Sequence, residues 1–271
     1  MLPDMVTLNT GVQIPNIGFG TWQVPARKAR EAVLWALRAG YRLIDTSLDY
    51  GNEREVGQAV RDSGLDREEV FVTTKLEGED YGPGGALRGF RHSIANLDIG
   101  YVDLYLVHWP DDRQRTETWK AMEEVLEQGK CRAIGVSNYM IHHLEELLEH
   151  GRIVPAVNQV ELHPFLHPRD LATFCKAHGI QIESYSPLTK SRHLSDPVIE
   201  RVAQRHGRTP AQVVLRWHLQ HDFIPIPRSV SPDHIEENFA VFDFSLTNED
   251  MEELDSLDRG LHVDWDPTDI G

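Results

Sequence analysis

Gly40-Tyr-Arg-Leu-Ile-Asp45-Thr-Ser-Leu-Asp-Tyr50-Gly-Asn-Glu53 decides the fold, because it sets an acid and a phenol directly after a short apolar run. Two further segments have the same design. Phe71-Val-Thr-Thr-Lys75 ends in an amine, and Asp103-Leu-Tyr-Leu-Val-His108-Trp-Pro110 carries an imidazole after its apolar run. Polar side chains at the ends of apolar strands are typical of (β/α)8 barrels. The segments therefore predict a barrel with these four side chains at one end.

Eight strand-like runs alternate with helical segments along the chain. The runs cover residues 16–20, 42–45, 70–75, 102–108, 133–137, 157–161, 181–186 and 223–228. Helical periodicity marks residues 26–39, 53–63, 85–97, 116–128, 140–149, 168–178 and 210–220. Runs rich in Val, Ile and Leu with short connections indicate a parallel sheet, and eight repeats favour closure. We predict an α/β fold, a (β/α)8 TIM barrel.

A β-hairpin is expected ahead of the barrel. Val6-Thr-Leu8 and Val12-Gln-Ile14 alternate in polarity about the turn Asn9-Thr-Gly11. A doubly wound open sheet is the competing architecture, but Gly18-Phe-Gly20-Thr lacks the third glycine of its fingerprint and opens no helix. The length suits one large core, so residues 1–271 are expected to form a single barrel domain.

Composition excludes several classes of partner. Lys and Arg number 27 against 43 Asp and Glu, so the formal net charge of -16 would repel a nucleic-acid backbone. Cys131 and Cys175 are the two cysteines, which suits a reducing cytoplasm better than a disulfide framework. Because no apolar stretch reaches about 18 residues, neither a membrane span nor a leader is expected. We expect a cytoplasmic monomer.

The four polar side chains suit one reaction. The Lys75 stem leaves an apolar strand, so its ammonium needs an anion, and Asp45 is available. Such a pair would favour the phenolate and lower the barrier to proton transfer from Tyr50, which then becomes a proton donor near neutral pH. His108, if neutral, would hydrogen-bond a carbonyl oxygen through one ring nitrogen. Proton donation and carbonyl polarisation are what hydride addition requires, although each residue taken singly is more often structural.

These segments, in order with Gly135-Val-Ser-Asn138, resemble those of the aldo-keto reductase family. The resemblance extends from the hairpin to about residue 257 and is nearest to the bacterial 2,5-diketo-D-gluconic acid reductase-like members. It implies a barrel that binds NADPH without a Rossmann unit and reduces aldehydes and ketones to alcohols. It also implies roles for the four residues: Tyr50 as general acid, Lys75 lowering its pKa, Asp45 pairing with Lys75, and His108 orienting the carbonyl.

The resemblance also implies a cofactor track. Ser137, Asn138 and Gln159 match the residues that bind the nicotinamide carboxamide, which their amide and hydroxyl groups suit. Tyr185 matches the ring that stacks on the nicotinamide, the alternative being an ordinary core aromatic. The other expected cofactor contacts are Gly20, Thr21, Asp45, Ser186, Pro187, Leu188, Arg228, Ser229, Val230, His234, Glu237 and Asn238.

The contacts to the 2'-phosphate depart from the usual family pattern. Members usually carry Lys-Ser and then Arg, where this chain has Arg228, Ser229 and His234. A guanidinium binds phosphate with two hydrogen bonds, whereas an imidazole is only partly protonated near neutral pH. We therefore expect NADPH to be preferred and NADH to be accepted. The alternative for His234 is a solvated helix start near Ser231.

Aromatic side chains are expected around a small-molecule carbonyl substrate. The predicted contacts are Trp22, Tyr50, His108 and Trp109, with Trp265 a further candidate. Residues 260–271 are either a disordered end or a flap over the substrate. Metal-like spacings such as His163-x3-His167 arise by chance among 14 histidines, so no metal is predicted.

Two other functions compete with carbonyl reduction. One is a cofactor-binding regulatory barrel without significant turnover, like the potassium-channel β subunits that resemble this family; the intact set of four disfavours it. The other is a barrel hydrolase with paired carboxylates, for which Glu161 and Glu183 at strand ends are candidates.

Overall fold

An antiparallel hairpin precedes the barrel, as predicted. The structure is a computed structural model that describes residues 3–111 and 113–270. Strands β1 (Met5–Thr7) and β2 (Gln13–Pro15) pair with Val6 opposite Ile14. Ile14 is fully buried, and Leu8 beside it is 3% exposed, so the hairpin covers one end of the barrel interior. Its register follows the alternation of the sequence, because one face packs on the core.

Eight parallel strands follow in sequence order. They are β3 (Phe19–Gly20), β4 (Leu43–Asp45), β5 (Phe71–Leu76), β6 (Val102–Val107), β7 (Cys131–Ser137), β8 (Val157–Glu161), β9 (Gln181–Tyr185) and β10 (Ile224–Pro225). Each strand pairs with the next, from β3 through to β10. The predicted runs correspond to these strands one for one.

Backbone hydrogen bonds join the first and last strands and close the barrel. The Gly18 amide donates to the Pro225 carbonyl at 2.9 Å, and the Gly20 amide donates to the Pro227 carbonyl at 3.0 Å. Proline has no N–H, so at these positions the last strand only accepts. This explains why the first and last strands are shorter than the predicted runs 16–20 and 223–228. The structure confirms the (β/α)8 barrel.

Helices surround the sheet. They are α1 (Ala26–Ala39), α2 (Glu53–Asp62), α3 (Gly85–Leu97), α4 (Arg115–Glu127), α5 (Ile141–His150), α6 (Arg169–Ala177), α7 (Pro197–His206), α8 (Pro210–Gln220), α9 (Pro232–Phe239) and α10 (Asn248–Asp255). Two of them, α7 and α10, had not been predicted. Their sequences carry start signals: the side chains of Asp196 and Thr247 accept hydrogen bonds from backbone N–H groups of the first turn. No helix of the described residues is long and apolar enough to cross a membrane.

The apolar core lies in two layers on either side of the sheet. Inward-facing side chains such as Leu104 and Leu106 fill the barrel, whereas Tyr105 and Val107 of the same strand pack towards the helices. Because side chains alternate along a strand, one apolar run serves both layers. The carboxyl ends of all eight strands are left to carry polar groups, which is where the predicted site residues lie.

Close packing of α2 on the end of α3 requires glycine at position 57. A Cβ there would lie 1.8 Å from the Leu97 carbonyl oxygen. We expect Gly57→Ala to lower the free energy of unfolding by about 1–3 kcal/mol, the usual cost of overpacking. Gly78→Ala is the control, because its Cβ would meet no atom closer than 4.0 Å. Urea unfolding measures both variants, and equal stabilities would contradict this packing constraint.

Candidate active site

The four predicted catalytic residues converge at the carboxyl end of the barrel. Asp45 ends β4, Lys75 lies one residue before the end of β5, and His108 directly follows β6. Tyr50 ends a 3-10 turn, Leu48–Tyr50, that follows β4. The Tyr50 and His108 ring centroids are 5.8 Å apart. Three neighbouring strands therefore bring an acid, a phenol, an amine and an imidazole together.

Asp45 and Lys75 form a buried ion pair. The Lys75 Nζ donates to Asp45 Oδ1 at 2.8 Å, to Oδ2 at 2.7 Å and to the Thr46 carbonyl at 3.0 Å. Lys75 is 0% exposed and Asp45 is 1% exposed. A buried charge needs such a set of partners to offset its lost hydration. The predicted pairing is therefore present in the structure.

The environment of Tyr50 keeps its proton in place. Burial, followed by the charges of Asp45, Glu77, Asp49 and Glu183, raises the pKa of Tyr50 well above its ordinary value. Burial and these carboxylates thus set the net direction, and the lowering by Lys75 that the resemblance implies stays a prediction. The Lys75 ammonium lies 4.9 Å from the phenol ring centroid, while its Nζ hydrogen-bonds both carboxylate oxygens of Asp45. The phenol is therefore held in its acid form.

These residues surround a cavity of about 410 Å³. Fourteen of the predicted site residues line it: Gly20, Trp22, Asp45, Tyr50, His108, Trp109, Ser137, Asn138, Gln159, Tyr185, Ser186, Pro187, Leu188 and Arg228. Thr21 is buried behind the wall, where its hydroxyl donates to the Asp45 carbonyl at 2.9 Å. Lys75 contacts the cavity lining through Asp45.

Amide and hydroxyl groups on the far wall form a connected network. Gln159 Nε2 donates to Asp45 Oδ2 at 2.9 Å and to Glu183 Oε1 at 2.5 Å. Both N–H groups of that amide are thus occupied, and its carbonyl oxygen is the atom suited to accept from a carboxamide. Asn138 Oδ1 accepts from the Tyr185 hydroxyl at 2.8 Å, which fixes the ring at the cavity wall. These groups fit a nicotinamide ring and its carboxamide.

Five predicted cofactor residues lie outside the cavity lining, on the segment after β10 and on α9. They are Ser229, Val230, His234, Glu237 and Asn238. His234 is exposed in the first turn of α9, and Arg228 at the cavity rim is exposed as well. Glu237 Oε1 accepts from the Thr209 hydroxyl at 2.7 Å, which ties α9 to the start of α8. The structure thus places these residues on a surface beside the cavity, with Arg228 between the two.

The C-terminal segment crosses the cavity mouth, which supports a flap over the cavity. The Val263 and Asp264 amides donate to the Glu161 carboxylate at 2.7 and 3.1 Å. Asp264 accepts from Lys190 Nζ at 2.5 Å and from the Ser186 hydroxyl at 2.7 Å. Trp265 lines the cavity, with its ring 5.0 Å from that of Trp109. Ile270, near the chain end, is tied down through its carbonyl, which lies within hydrogen-bonding distance of His143 Nε2.

Two carboxylates lie near the four catalytic candidates. The sequence predicted no role for Glu77, and it offered Glu183 as one of a hydrolase pair. Glu77, two residues after Lys75, lies within hydrogen-bonding distance of His108 Nδ1. Glu183, a candidate for the hydrolase pair, is 0% exposed and absent from the cavity lining, as is Glu161. Burial, followed by the charge of Asp45, raises the pKa of Glu183 to about 8. Neither glutamate of that pair faces the cavity, so the hydrolase alternative loses its support.

Three potential metal ligands meet elsewhere, at the ends of α8 and α10. Atoms of His167, His221 and Asp255 lie within 4.8 Å of one another. The Asp255 carboxylate is already engaged, because its Oδ1 accepts from Trp217 Nε1 at 2.8 Å and lies 2.9 Å from His221 Nε2. The guanidinium of Arg169 is 3.6 Å from the other carboxylate oxygen. Hydrogen bonding thus accounts for Asp255 and His221, and the absence of a metal stays a prediction.

Comparisons with known proteins agree with this geometry. The Aldo/keto reductase family model matches residues 16–259. The morphine 6-dehydrogenase of Pseudomonas putida is 44% identical over 281 residues, covering 98% of this chain and 95% of the relative. The glyoxal reductase of Bacillus subtilis is 44% identical over 270 residues, covering 99% and 98%. The crystal structure of a Bombyx mori aldo-keto reductase in complex with NADP superposes with a TM-score of 0.91 at 31% identity, covering 97% and 95%.

The chain therefore belongs to the aldo/keto reductase family. Its members are oxidoreductases that use nicotinamide cofactors and act on small-molecule carbonyl compounds. The family prediction is confirmed. A nicotinamide fits the cavity described above, since Gln159, Asn138 and Tyr185 present the amide and aromatic groups that such a ring requires.

The raised pKa of Glu183 predicts how stability depends on pH. The folded protein keeps this proton up to about pH 8, whereas the unfolded chain releases it near 4.5. Stability contributed by the neutral carboxyl is thus present below about pH 4.5 and is lost as the pH rises towards 8. Glu183→Gln removes this titration and keeps an acceptor for Gln159. We expect the variant to be more stable than the wild type at pH 8.5, with the difference shrinking towards pH 5.

Urea unfolding between pH 5 and pH 8.5 measures this difference. Glu200→Gln, on the exposed side of α7, is the matched control and should follow the wild type throughout. A stability difference that is independent of pH for Glu183→Gln would contradict the assigned titration.

Proposed function

We propose that this protein reduces aldehydes and ketones to alcohols with NADPH, using Tyr50 as the general acid. The observation that carries the proposal is the buried Asp45–Lys75 pair beside the phenol, with His108 on the same cavity. When bound, the nicotinamide supplies the hydride for the carbonyl carbon. The Tyr50 hydroxyl then gives its proton to the oxygen, which completes the alcohol. One NADPH and one proton are consumed for each carbonyl group that is reduced.

Each side chain has a distinct task in this proposal. Tyr50 holds a proton at its hydroxyl, and general acid catalysis contributes about 10²–10⁴-fold to a rate. Lys75 provides a positive charge that stabilises the phenolate left after transfer, and Asp45 keeps that ammonium in place. His108 orients the carbonyl oxygen. Gln159 and Asn138 would hold the carboxamide, and Tyr185 would stack on the ring so that one face is left for the substrate.

The cavity walls support small carbonyl compounds as substrates. Trp22, Trp109 and Trp265 supply aromatic surface around Tyr50 and His108. Binding pockets of this kind combine apolar walls with a few placed polar groups. The name of the Bacillus relative, a glyoxal reductase, agrees with a small aldehyde, and that of the Pseudomonas relative agrees with an alcohol and ketone pair.

NADPH is the proposed cofactor, with NADH accepted at lower affinity. The Bombyx relative binds NADP, and the exposed Arg228 offers a guanidinium to a 2'-phosphate. His234, exposed on the first turn of α9, stands where family members usually carry arginine. We continue to predict that the protein is cytoplasmic, that it is a monomer, and that residues 1–271 form one domain.

Replacement of the phenol tests the proposal. We expect Tyr50→Phe to lower kcat for aldehyde reduction by at least about 100-fold with little change in NADPH affinity, because the variant loses only its proton donor. Steady-state assays and fluorescence titration measure the two quantities. Tyr101→Phe, in front of β6 at the opposite end of the strand, is the matched control and should keep wild-type turnover. Unchanged turnover in Tyr50→Phe would refute the assigned acid, and cofactor binding without turnover in the wild type would favour the regulatory barrel.

A second test concerns the choice of cofactor. His234→Arg should tighten NADPH binding by roughly tenfold, because a hydrogen bond to a charged group contributes about 1.5 kcal/mol and 1.4 kcal/mol is about tenfold. NADH lacks the 2'-phosphate, so its affinity should not change and serves as the control. Calorimetric titration of both cofactors measures the outcome. Equal NADPH affinity in variant and wild type would remove His234 from the phosphate site.

A further inference from the structure

Glu77 bonds directly to the imidazole of the proposed site. His108 Nδ1 lies 2.8 Å from Glu77 Oε1 and 2.9 Å from Oε2, and the Ser47 hydroxyl donates to Oε1. Glu77 follows β5 at the same barrel end as His108, which follows β6. Both side chains are mostly buried, at 18% and 12% exposure. The ring is therefore held from one side by a carboxylate.

This carboxylate is ionised and can only accept hydrogen bonds. Burial alone would raise the pKa of Glu77, but the hydrogen bond and charge of His108, the hydrogen bond from Ser47 and the charge of Lys75 outweigh it, so that pKa is lowered. An ionised carboxylate has no proton to donate. The proton of the hydrogen bond therefore belongs to His108 Nδ1. Nε2, on the other side of the ring, is the nitrogen that remains for the cavity, which His108 lines.

We infer that Glu77 is a positioning residue that fixes which ring nitrogen of His108 carries the proton of the neutral ring. This placement decides whether His108 can bind the oxygen of a carbonyl or that of an alcohol. In the neutral ring, Nδ1 carries the single proton and Nε2 is an acceptor. An acceptor suits the hydroxyl of an alcohol and repels a carbonyl oxygen. A second proton makes Nε2 a donor, which a carbonyl oxygen requires. Reduction is thus favoured by doubly protonated His108, which differs from the prediction of a neutral donor.

The reaction keeps its balance with this assignment. The hydride still adds to the carbonyl carbon and the Tyr50 hydroxyl still gives its proton to the oxygen, so His108 transfers nothing. It contributes one hydrogen bond to the oxygen on which negative charge develops. Removing one such donor costs about 10²–10³-fold in turnover. The inference rests on the proposed function for this kinetic consequence, whereas the ring tautomer can be tested without turnover.

Other titratable groups around the cavity bear on any pH profile. Those on the elements packed around His108 are Asp45, Asp49, Tyr50, Lys75, Glu77, Asp111, Glu183, Lys190 and Asp264. Glu183, with its pKa raised to about 8, titrates within the range of interest. Glu183→Gln removes that titration, so a pH dependence that persists in this background does not come from Glu183.

The kinetic test compares Glu77→Gln with the wild type. With saturating NADPH and an aldehyde, kcat/KM is measured from pH 5.5 to 8.5, and we expect the wild-type value to fall by at least about tenfold where the oxygen has lost its donor. The glutamine amide can accept from Nδ1 or donate to it, so a neutral ring with its proton on Nε2 becomes available. The fall should shrink to about threefold or less in Glu77→Gln and persist in Glu183→Gln. Glu79→Gln, exposed two residues away, should follow the wild type.

The spectroscopic test reads the tautomer itself. Nitrogen-15 NMR of the ring, assigned by loss of signal in His108→Gln, distinguishes protonated from bare ring nitrogens. In the neutral ring we expect a protonated Nδ1 and a bare Nε2 in the wild type, with the proton moved at least partly to Nε2 in Glu77→Gln. A bare Nδ1 in the wild type, or identical tautomers in the two proteins, would overturn the inference. So would a uniform loss of kcat/KM without a change of pH profile. Absent turnover with the expected tautomers would instead count against the proposed function.

Discussion

The buried ion pair between Asp45 and Lys75 is the interaction on which the rest of the site depends. Isolated charges in a protein interior cost several kcal/mol each, so neither side chain is tolerable there without the other. Lys75 satisfies its donors with both oxygens of Asp45 and the Thr46 carbonyl. Asp45 also accepts from Gln159, which reaches it from the other side of the barrel. The pair thus ties together strands that are distant in sequence.

Charge balance around this pair accounts for the protonation of its neighbours. Burial and the charge of Asp45 both oppose a further negative charge beside the pair. Glu183, close to the pair through Gln159, therefore keeps its proton to about pH 8, and the phenol of Tyr50 keeps its own. Glu77 is different because His108 and Ser47 hydrogen-bond to it. The site holds protonated groups beside ionised ones because each environment differs, which acid–base chemistry requires.

Much of this arrangement could be predicted from sequence because its determinants are local. An apolar run followed by a polar side chain places Asp45, Lys75 and His108 at strand ends whatever the tertiary context, and eight such runs favour a closed barrel. The pairing of Gln159 with Glu183 depends instead on the register between β8 and β9, which no local pattern fixes. The contact of Glu77 with His108 likewise needs the relative placement of two strand ends. The net direction of the Tyr50 pKa also lay beyond the sequence, because the sequence showed the charge of Lys75 but not the burial of the phenol or the carboxylates around it.

The central claim is that this barrel couples a nicotinamide cofactor to carbonyl reduction at the cavity around Tyr50. The most direct measurement follows cofactor absorbance while a panel of aldehydes and ketones is offered to the purified protein, once with NADPH and once with NADH. The account predicts consumption of NADPH with small aldehydes, and slower consumption of NADH. Cofactor that binds to the protein yet stays unoxidised with every carbonyl compound would contradict it.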